Sequence, residues 1–117
     1  MVTLIVIPFV SVALPGENKP LPDKPTDLKL LSDYYAEQYN VSKDVMRTVV
    51  QCESRWNTNA IGDNGNSYGL AQIHLPSHPT VLKVEATNPD FALNFLAKNL
   101  SQGKGGMWTC YRKNYQQ

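Results

Sequence analysis

One acidic residue lies on the otherwise apolar side of a predicted helix, and this placement constrains the fold more than any other feature. At helical spacing, Val45, Val49 and Glu53 share one face, and Met46 and Val50 fall beside them. A face of this composition packs against a core, so Glu53 is expected to be partly buried. Loss of hydration favours the neutral carboxyl and raises its pKa, which suits a general acid near neutral pH. A structural carboxylate at the edge of the apolar face is the alternative.

Length and composition predict one globular domain. The chain has 117 residues, of which 42% are hydrophobic and 18% are charged, values typical of a folded protein rather than a disordered one. The formal net charge is +1, and the basic residues form no run. These observations exclude nucleic acid as an expected partner, and we expect a monomer.

The N-terminal region differs from the rest of the chain. Residues 1–14 are nearly all apolar but too few to span a bilayer, and they are typical of a signal peptide or membrane-targeting segment. No Lys or Arg precedes them, and a buried β-strand is the alternative. Residues 15–25 form a Pro-rich linker, which leaves 26–117 for the folded domain. We expect an exported protein, located in the periplasm, the cell envelope or outside the cell, that contacts a membrane only if the first segment is uncleaved.

Capping residues predict where the helices begin. Thr26 or Asp27 can accept a backbone N–H at the start of one helix, and Ser42 can do so at the start of the helix that carries Glu53. Asn88 followed by a proline is typical of a third helix start. Ser67 is expected to cap a short helix that runs to Ile73 or His74.

Two motifs downstream of the acidic residue carry a family resemblance. Glu53 begins the run Glu-Ser-Arg-Trp-Asn, and Tyr68 begins the run Tyr-Gly-Leu-Ala-Gln-Ile. Together they resemble the lytic transglycosylase family of the soluble lytic murein transglycosylase type, in the lysozyme-like superfamily and related to goose-type lysozymes. The resemblance covers Asp27 to Arg112. It implies that the domain at 26–117 is a mainly α, small lysozyme-like domain, with several short helices around a central Glu-bearing helix.

The resemblance also implies a reaction and its substrate. Members cleave the β-1,4 bond between N-acetylmuramic acid and N-acetylglucosamine in peptidoglycan glycan strands, with formation of 1,6-anhydro ends and no cofactor. Glu53 would act as general acid and then as base. A hydrolytic lysozyme would need a second carboxylate; of the acids after Glu53, namely Asp63, Glu85 and Asp90, only Asp63 is a candidate. A non-catalytic glycan-binding module and an unrelated disulfide-linked envelope protein are further alternatives.

The expected substrate-binding residues follow from the same motifs. The family's cleft glutamine corresponds to Gln72, and its serine beside the acid corresponds to Ser54, which would orient Glu53. The family's late Tyr-Asn-x-Gly motif is absent, and Tyr111 is the nearest substitute. The other residues expected at the cleft are Ser67, Tyr68, Gly69 and His74.

The two cysteines and the two histidines lack metal-site spacing. Cys52 and Cys110 fit neither a metal nor a CxxC redox pattern. Export would favour a disulfide between them, which would bring Tyr111 near Glu53, whereas two buried free thiols are the alternative. Pro76 separates the two histidines and no His-Glu-x-x-His motif is present, so no metal is expected.

Overall fold

A computed structural model describes residues 23–116 and has a mainly helical architecture with a small antiparallel sheet. The helices are α1 (Leu28–Tyr39), α2 (Lys43–Ser54), α3 (Lys83–Ala86), α4 (Pro89–Ser101) and α5 (Thr109–Tyr115), and the strands are β1 (Ile61–Gly62), β2 (Ser67–Tyr68) and β3 (Ile73–His74). The predicted fold class is confirmed. Within the described range, no helix is long and apolar enough to cross a membrane. The expected targeting segment (1–14) and most of the expected linker (15–25) lie outside that range.

The predicted helix starts are correct because short polar side chains satisfy backbone donors there. The side chains of Asp27, Ser42 and Asn88 each accept the N–H of the third residue that follows, at 3.0 to 3.2 Å. Each therefore pairs a donor that the helix itself leaves unpaired. At its other end α1 terminates at Asn40, whose φ of 55° is in the left-handed region.

Helix α2 lies at the centre of the core. Its residues Met46, Val49 and Val50 have no solvent exposure, as the periodicity predicts. The buried partners from the other elements are Leu31, Ala36, Leu70, Ile73, Leu93, Leu96 and Trp108. Burying each large aliphatic side chain contributes about 1.5–3 kcal/mol, so this cluster holds α2 in place.

Helix α1 packs between α2 and α4, and polar side chains fix its position. The Arg47 guanidinium donates two hydrogen bonds to Asp33, at 2.9 and 2.7 Å. On the α4 side, the Tyr35 hydroxyl donates to Asp90 at 2.6 Å. A bidentate Arg–carboxylate pair restricts the relative orientation of the two helices as well as their distance. Helix α1 therefore holds α2 and α4 in a defined arrangement.

The segment after α2 is a sheet rather than the expected helix. Ser67 and Tyr68 form β2, which pairs with β1 on one side and β3 on the other, so the prediction of a helix capped by Ser67 is wrong. The physical reason is backbone conformation: Gly69 and Gln72 have φ of 83° and 46°, and such angles interrupt a right-handed helix. The Ser67 hydroxyl donates instead to Asp63.

Gly69 is required where the sheet meets α3. A Cβ at this position would overlap the carbonyl oxygen of Ala86, the last residue of α3. The family motif glycine therefore permits the close approach of a second helix in this structure. Both its left-handed backbone and its surroundings disfavour any side chain.

We predict that Gly69→Ala lowers the free energy of unfolding by more than about 2 kcal/mol, because strain at positive φ adds to a steric overlap. Gly103→Ala is the matched control: its φ is 76°, but nothing lies within 4 Å of the added Cβ, so only the conformational cost of about 1–2 kcal/mol applies. Urea unfolding measures both. Equal losses in the two variants would contradict the packing role assigned to Gly69.

Candidate active site

Glu53 lies in the last turn of α2, at the edge of the core. Its side chain is half-buried, and its Oε2 accepts a hydrogen bond from the backbone N–H of Cys110 at 3.2 Å. Cys110 belongs to the first turn of α5, where backbone donors have no partner inside the helix. The residue before that helix, Trp108, makes no side-chain cap. Glu53 therefore supplies an acceptor that α5 otherwise lacks in its first turn.

A disulfide joins the same two helices beside this hydrogen bond. Cys52 and Cys110 are bonded, with their Cα atoms 5.9 Å apart. The structure thus contains the bridge that export would favour. Because Cys52 immediately precedes Glu53, the covalent bond and the hydrogen bond hold the end of α2 against the start of α5.

The pKa of Glu53 is raised above its ordinary value. Burial is the main cause, since it penalises the charged form, and the negative charge of Asp63 acts in the same direction. The Cys110 N–H and the positive charges of Arg112 and Lys113 oppose the shift without cancelling it. The carboxyl therefore keeps its proton to a higher pH than a solvated Glu does, as expected for a general acid.

Glu53 opens onto a polar pocket of about 260 Å³. Its wall combines residues from α2, the sheet region and the start of α5. The lining residues are Glu53, Asp63, Gln72, His74, Ser77, Met107, Trp108, Thr109 and Arg112. Two carboxyl groups and one guanidinium thus border one concave space.

A second pocket, of about 300 Å³, adjoins the first and is more apolar. The residues common to both are Gln72, His74, Ser77, Met107 and Trp108. Phe95 and Ile73 line the second pocket only, and the His78 ring meets Phe95 edge-on with centroids 5.1 Å apart. Because they share these five residues, the two pockets are here called together the Glu53 groove, with a charged part and an aromatic part. Such a combination suits a ligand with both hydroxyl groups and apolar C–H faces.

Gln72 is held rigidly at the junction of these two pockets. Its side-chain Nε2 donates to the carbonyl oxygens of Ala60 and Gly69, at 3.1 and 3.0 Å. Its Oε1 lies so close to Gly62 that a Cβ there would overlap it. With both amide hydrogens used, Gln72 offers an acceptor rather than a donor to a ligand.

The other expected residues divide between the groove and its supports. His74 lines both pockets, and its Nδ1 is 2.8 Å from Ser77 Oγ. Ser67 is buried and bonds to Asp63, and the Tyr68 hydroxyl donates to Gly65. Ser54 is also buried, and its hydroxyl donates to Val50 O in its own helix rather than to Glu53.

Tyr111 does not line the Glu53 pocket, although the disulfide brings its helix there. Its ring packs against Gly105, where an added Cβ would lie 2.6 Å from it, and against Tyr115 at a centroid distance of 5.2 Å. Thr109 and Arg112 line the pocket instead. They are three residues apart and so share a helical face that excludes Tyr111. Sequence reasoning missed Arg112, because the spacing groups it with Thr109 but no local signal shows that this face of α5 borders the pocket.

The chain matches the model of a known protein family. A protein-family model described as the transglycosylase SLT domain matches residues 31–113. A search of curated proteins found no match, and neither did a search of solved structures. The matched range contains all the residues that line the Glu53 groove.

We predict that replacing both cysteines by serine lowers the free energy of unfolding by up to roughly 4 kcal/mol. The bridge closes a loop across a sequence separation of 58, and its loss restores chain entropy to the unfolded state. Urea unfolding of the oxidised wild type and the double variant measures the difference. Reducing agent should destabilise the wild type and leave the variant unaffected; an equal response of both proteins would contradict this assignment.

We predict that Glu53→Gln becomes more stable relative to the wild type as pH rises. Below the ordinary pKa of 4.5 the carboxyl is protonated in both states, so no difference from titration is expected. Above it the unfolded state loses its proton more readily than the folded state, and the wild type loses stability until pH passes the raised pKa. Unfolding free energies measured from pH 4 to pH 8 test this.

The variant Asp90→Asn is a control whose stability relative to the wild type should change with pH in the opposite direction. Burial alone would raise the Asp90 pKa, but hydrogen bonds from Tyr35 and Lys24 outweigh it and lower the pKa. The wild type should therefore gain stability over Asp90→Asn as pH rises from acid to neutral. Parallel pH profiles for the Glu53 and Asp90 variants would contradict the assigned environments.

Proposed function

This chain belongs to the family of transglycosylase SLT domains, and from that premise we propose that it cleaves the β-1,4 bond between N-acetylmuramic acid and N-acetylglucosamine in peptidoglycan. The product would carry a 1,6-anhydro ring on the muramic residue. The observation that carries the proposal is Glu53, a half-buried carboxyl with a raised pKa that opens onto a groove. That combination supports one group serving as acid and then as base.

In the proposed reaction one carboxyl serves both proton transfers. Protonated Glu53 gives its proton to the glycosidic oxygen as the bond to C1 of the muramic residue breaks. The resulting carboxylate then takes the proton of the C6 hydroxyl on the same sugar, and the C6 oxygen bonds to C1. Glu53 ends protonated, so the cycle needs no water and no second acid.

The hydrogen bond from Cys110 gives the two carboxyl oxygens of Glu53 different roles in the proposed proton transfers. Oε2 accepts the backbone N–H, so the proton is best carried by Oε1. The same N–H stabilises the carboxylate that forms after the first transfer, and it does so without reorganisation because the disulfide holds α5 in place. Gln72 would accept a hydrogen bond from a sugar hydroxyl or N-acetyl group, and His74 would border the same sugar.

A hydrolytic lysozyme is the second candidate, and the position of Asp63 favours it. Asp63 lines the same pocket as Glu53, whereas Asp90 is bound by Tyr35 and Lys24, and Glu85 accepts the N–H of Leu82. Asp63 is therefore the acid that could serve as a second carboxylate. Its bond from Ser67 would hold it in place for that role.

The substrate implies where the protein acts. Peptidoglycan lies outside the cytoplasmic membrane, so we propose a periplasmic, envelope or extracellular location, where a disulfide persists. Residues 1–14 would direct export and 15–25 would link them to the catalytic domain at 26–117. The protein would act on glycan strands as a monomer.

We predict that Glu53→Gln retains the fold and reduces the release of soluble fragments from purified cell walls at least about 10²-fold, the scale of a lost general acid. Glu37→Gln, an exposed change on α1, is the matched control and should retain activity. Turbidity loss and released muropeptides measure the effect. Full clearing of walls by Glu53→Gln would falsify the assignment of the acid.

Mass analysis of the released fragments separates the two enzymes. Anhydro ends, with activity retained in Asp63→Asn, would support the transglycosylase. Reducing ends, with activity lost in Asp63→Asn, would support the lysozyme. If the wild type binds glycans but releases no fragment of either kind, the chain is a glycan-binding module instead.

A further inference from the structure

Arg112 presents an anchored but un-neutralised positive charge at the Glu53 pocket. Its Nη1 donates to the carbonyl oxygen of Gly106 and its Nη2 to Thr109 Oγ1 at 3.1 Å. Both acceptors are neutral. The ion pairs among the described residues join Lys24 to Asp90, Lys43 to Glu37 and Arg47 to Asp33, and none involves Arg112. The two acceptors therefore position the guanidinium without compensating its charge.

The chemistry of the guanidinium defines what it can bind. It carries five N–H donors in a rigid plane, and two of these are used by Gly106 and Thr109. The remaining donors suit the two oxygens of a carboxylate. Because Arg112 is exposed, binding such a group would not require the large desolvation that a buried ion pair needs.

The charge balance of the pocket makes this cation significant. Asp63 and Glu53 both border the pocket, and two carboxylates would repel an acidic ligand. Burial keeps Glu53 neutral to a higher pH than usual, and the hydroxyl of Ser67 is already bonded to Asp63. Arg112 offsets the charge that is left, so the pocket can accept a ligand that carries a carboxylate.

We propose that Arg112 binds a carboxylate of the glycan substrate and so makes the protein prefer acidic peptidoglycan strands to neutral N-acetylglucosamine polymers. This rests on the proposed function. The carboxylate has two possible sources: the lactyl ether of the muramic residue, which is free once peptides are removed, and the peptide attached to it. In either case Arg112 determines specificity by contact with the substrate and takes no part in proton transfer.

Equilibrium binding to three glycans tests the proposal. The full chain carrying Glu53→Gln is used so that no ligand is consumed. Calorimetry at low salt compares a peptide-bearing glycan tetrasaccharide, the same glycan stripped of peptide by an amidase, and neutral chitotetraose. Each glycan is titrated into the parent protein and into three variants of it, which carry Arg112→Gln, Arg112→Lys or Lys98→Gln. The Lys98→Gln variant is a control that removes an exposed charge from α4.

Arg112→Gln is expected to weaken binding of the acidic glycans about tenfold, the effect of one charged hydrogen-bonded contact, and to leave chitotetraose binding unchanged. Arg112→Lys should recover part of the lost affinity, because lysine restores the positive charge but not the planar, bidentate donor geometry of the guanidinium. Lys98→Gln should change none of the three. A loss confined to the peptide-bearing glycan identifies the peptide as the source, and a loss for the stripped glycan identifies the lactyl group; both support the proposal.

Two results would overturn the inference, and they are distinguishable. If the parent protein binds all three glycans and Arg112→Gln affects them equally or not at all, Arg112 has no role in specificity while the proposed function stands. If the parent protein binds none of the three, the proposed function fails and the inference fails with it. Unchanged circular dichroism and thermal unfolding of Arg112→Gln exclude misfolding as the cause of a loss.

Discussion

The backbone N–H of Cys110, at the start of α5, donates a hydrogen bond to the carboxylate of Glu53, at the end of α2. The Cys52–Cys110 disulfide lies directly beside this contact. Helix α5 has only seven residues and would be marginal in isolation. The disulfide and the hydrogen bond together fix α5 against α2. In return, α5 brings Thr109 and Arg112 to the acid. One local arrangement thus stabilises a short helix and completes the wall of the pocket.

The helices and the sheet contribute different properties to the Glu53 groove. Helix α2 is held in place because its residues Met46, Val49 and Val50 are fully buried, and α1 braces it through the Arg47–Asp33 pair. The sheet region provides side chains through unusual backbone conformations: Asp63 and Gln72 both have positive φ, at 51° and 46°. Such angles cost free energy in residues with side chains, and they persist only where the surrounding structure enforces them. Here each carries a side chain to the pocket.

The electrostatics of the groove reflect opposing requirements. A general acid benefits from burial and from a neighbouring negative charge, because both retain its proton, and Glu53 has both. The acidic substrate proposed for this site would need the opposite, namely positive charge. Arg112 supplies that charge but lowers the Glu53 pKa as it does so. Its placement on an exposed helix, with neutral anchors, limits this effect because solvent screens the interaction.

Local sequence signals determined the three longest helices of the described residues, α1, α2 and α4. Periodicity and capping residues predicted α1, α2 and the start of α4, and the apolar face of α2 predicted a half-buried Glu53, because these features depend on neighbours within a few positions. The strands, in contrast, are two residues long and pair across turns with positive φ, so no alternation marked them, and Ser67 was misread as a helix cap. Tertiary structure alone decided that Tyr111 faces away from the pocket while Arg112 lines it, because the orientation of α5 depends on its attachment to α2. The sequence by itself thus predicted a half-buried Glu53, and only packing between distant segments decided which groups surround it.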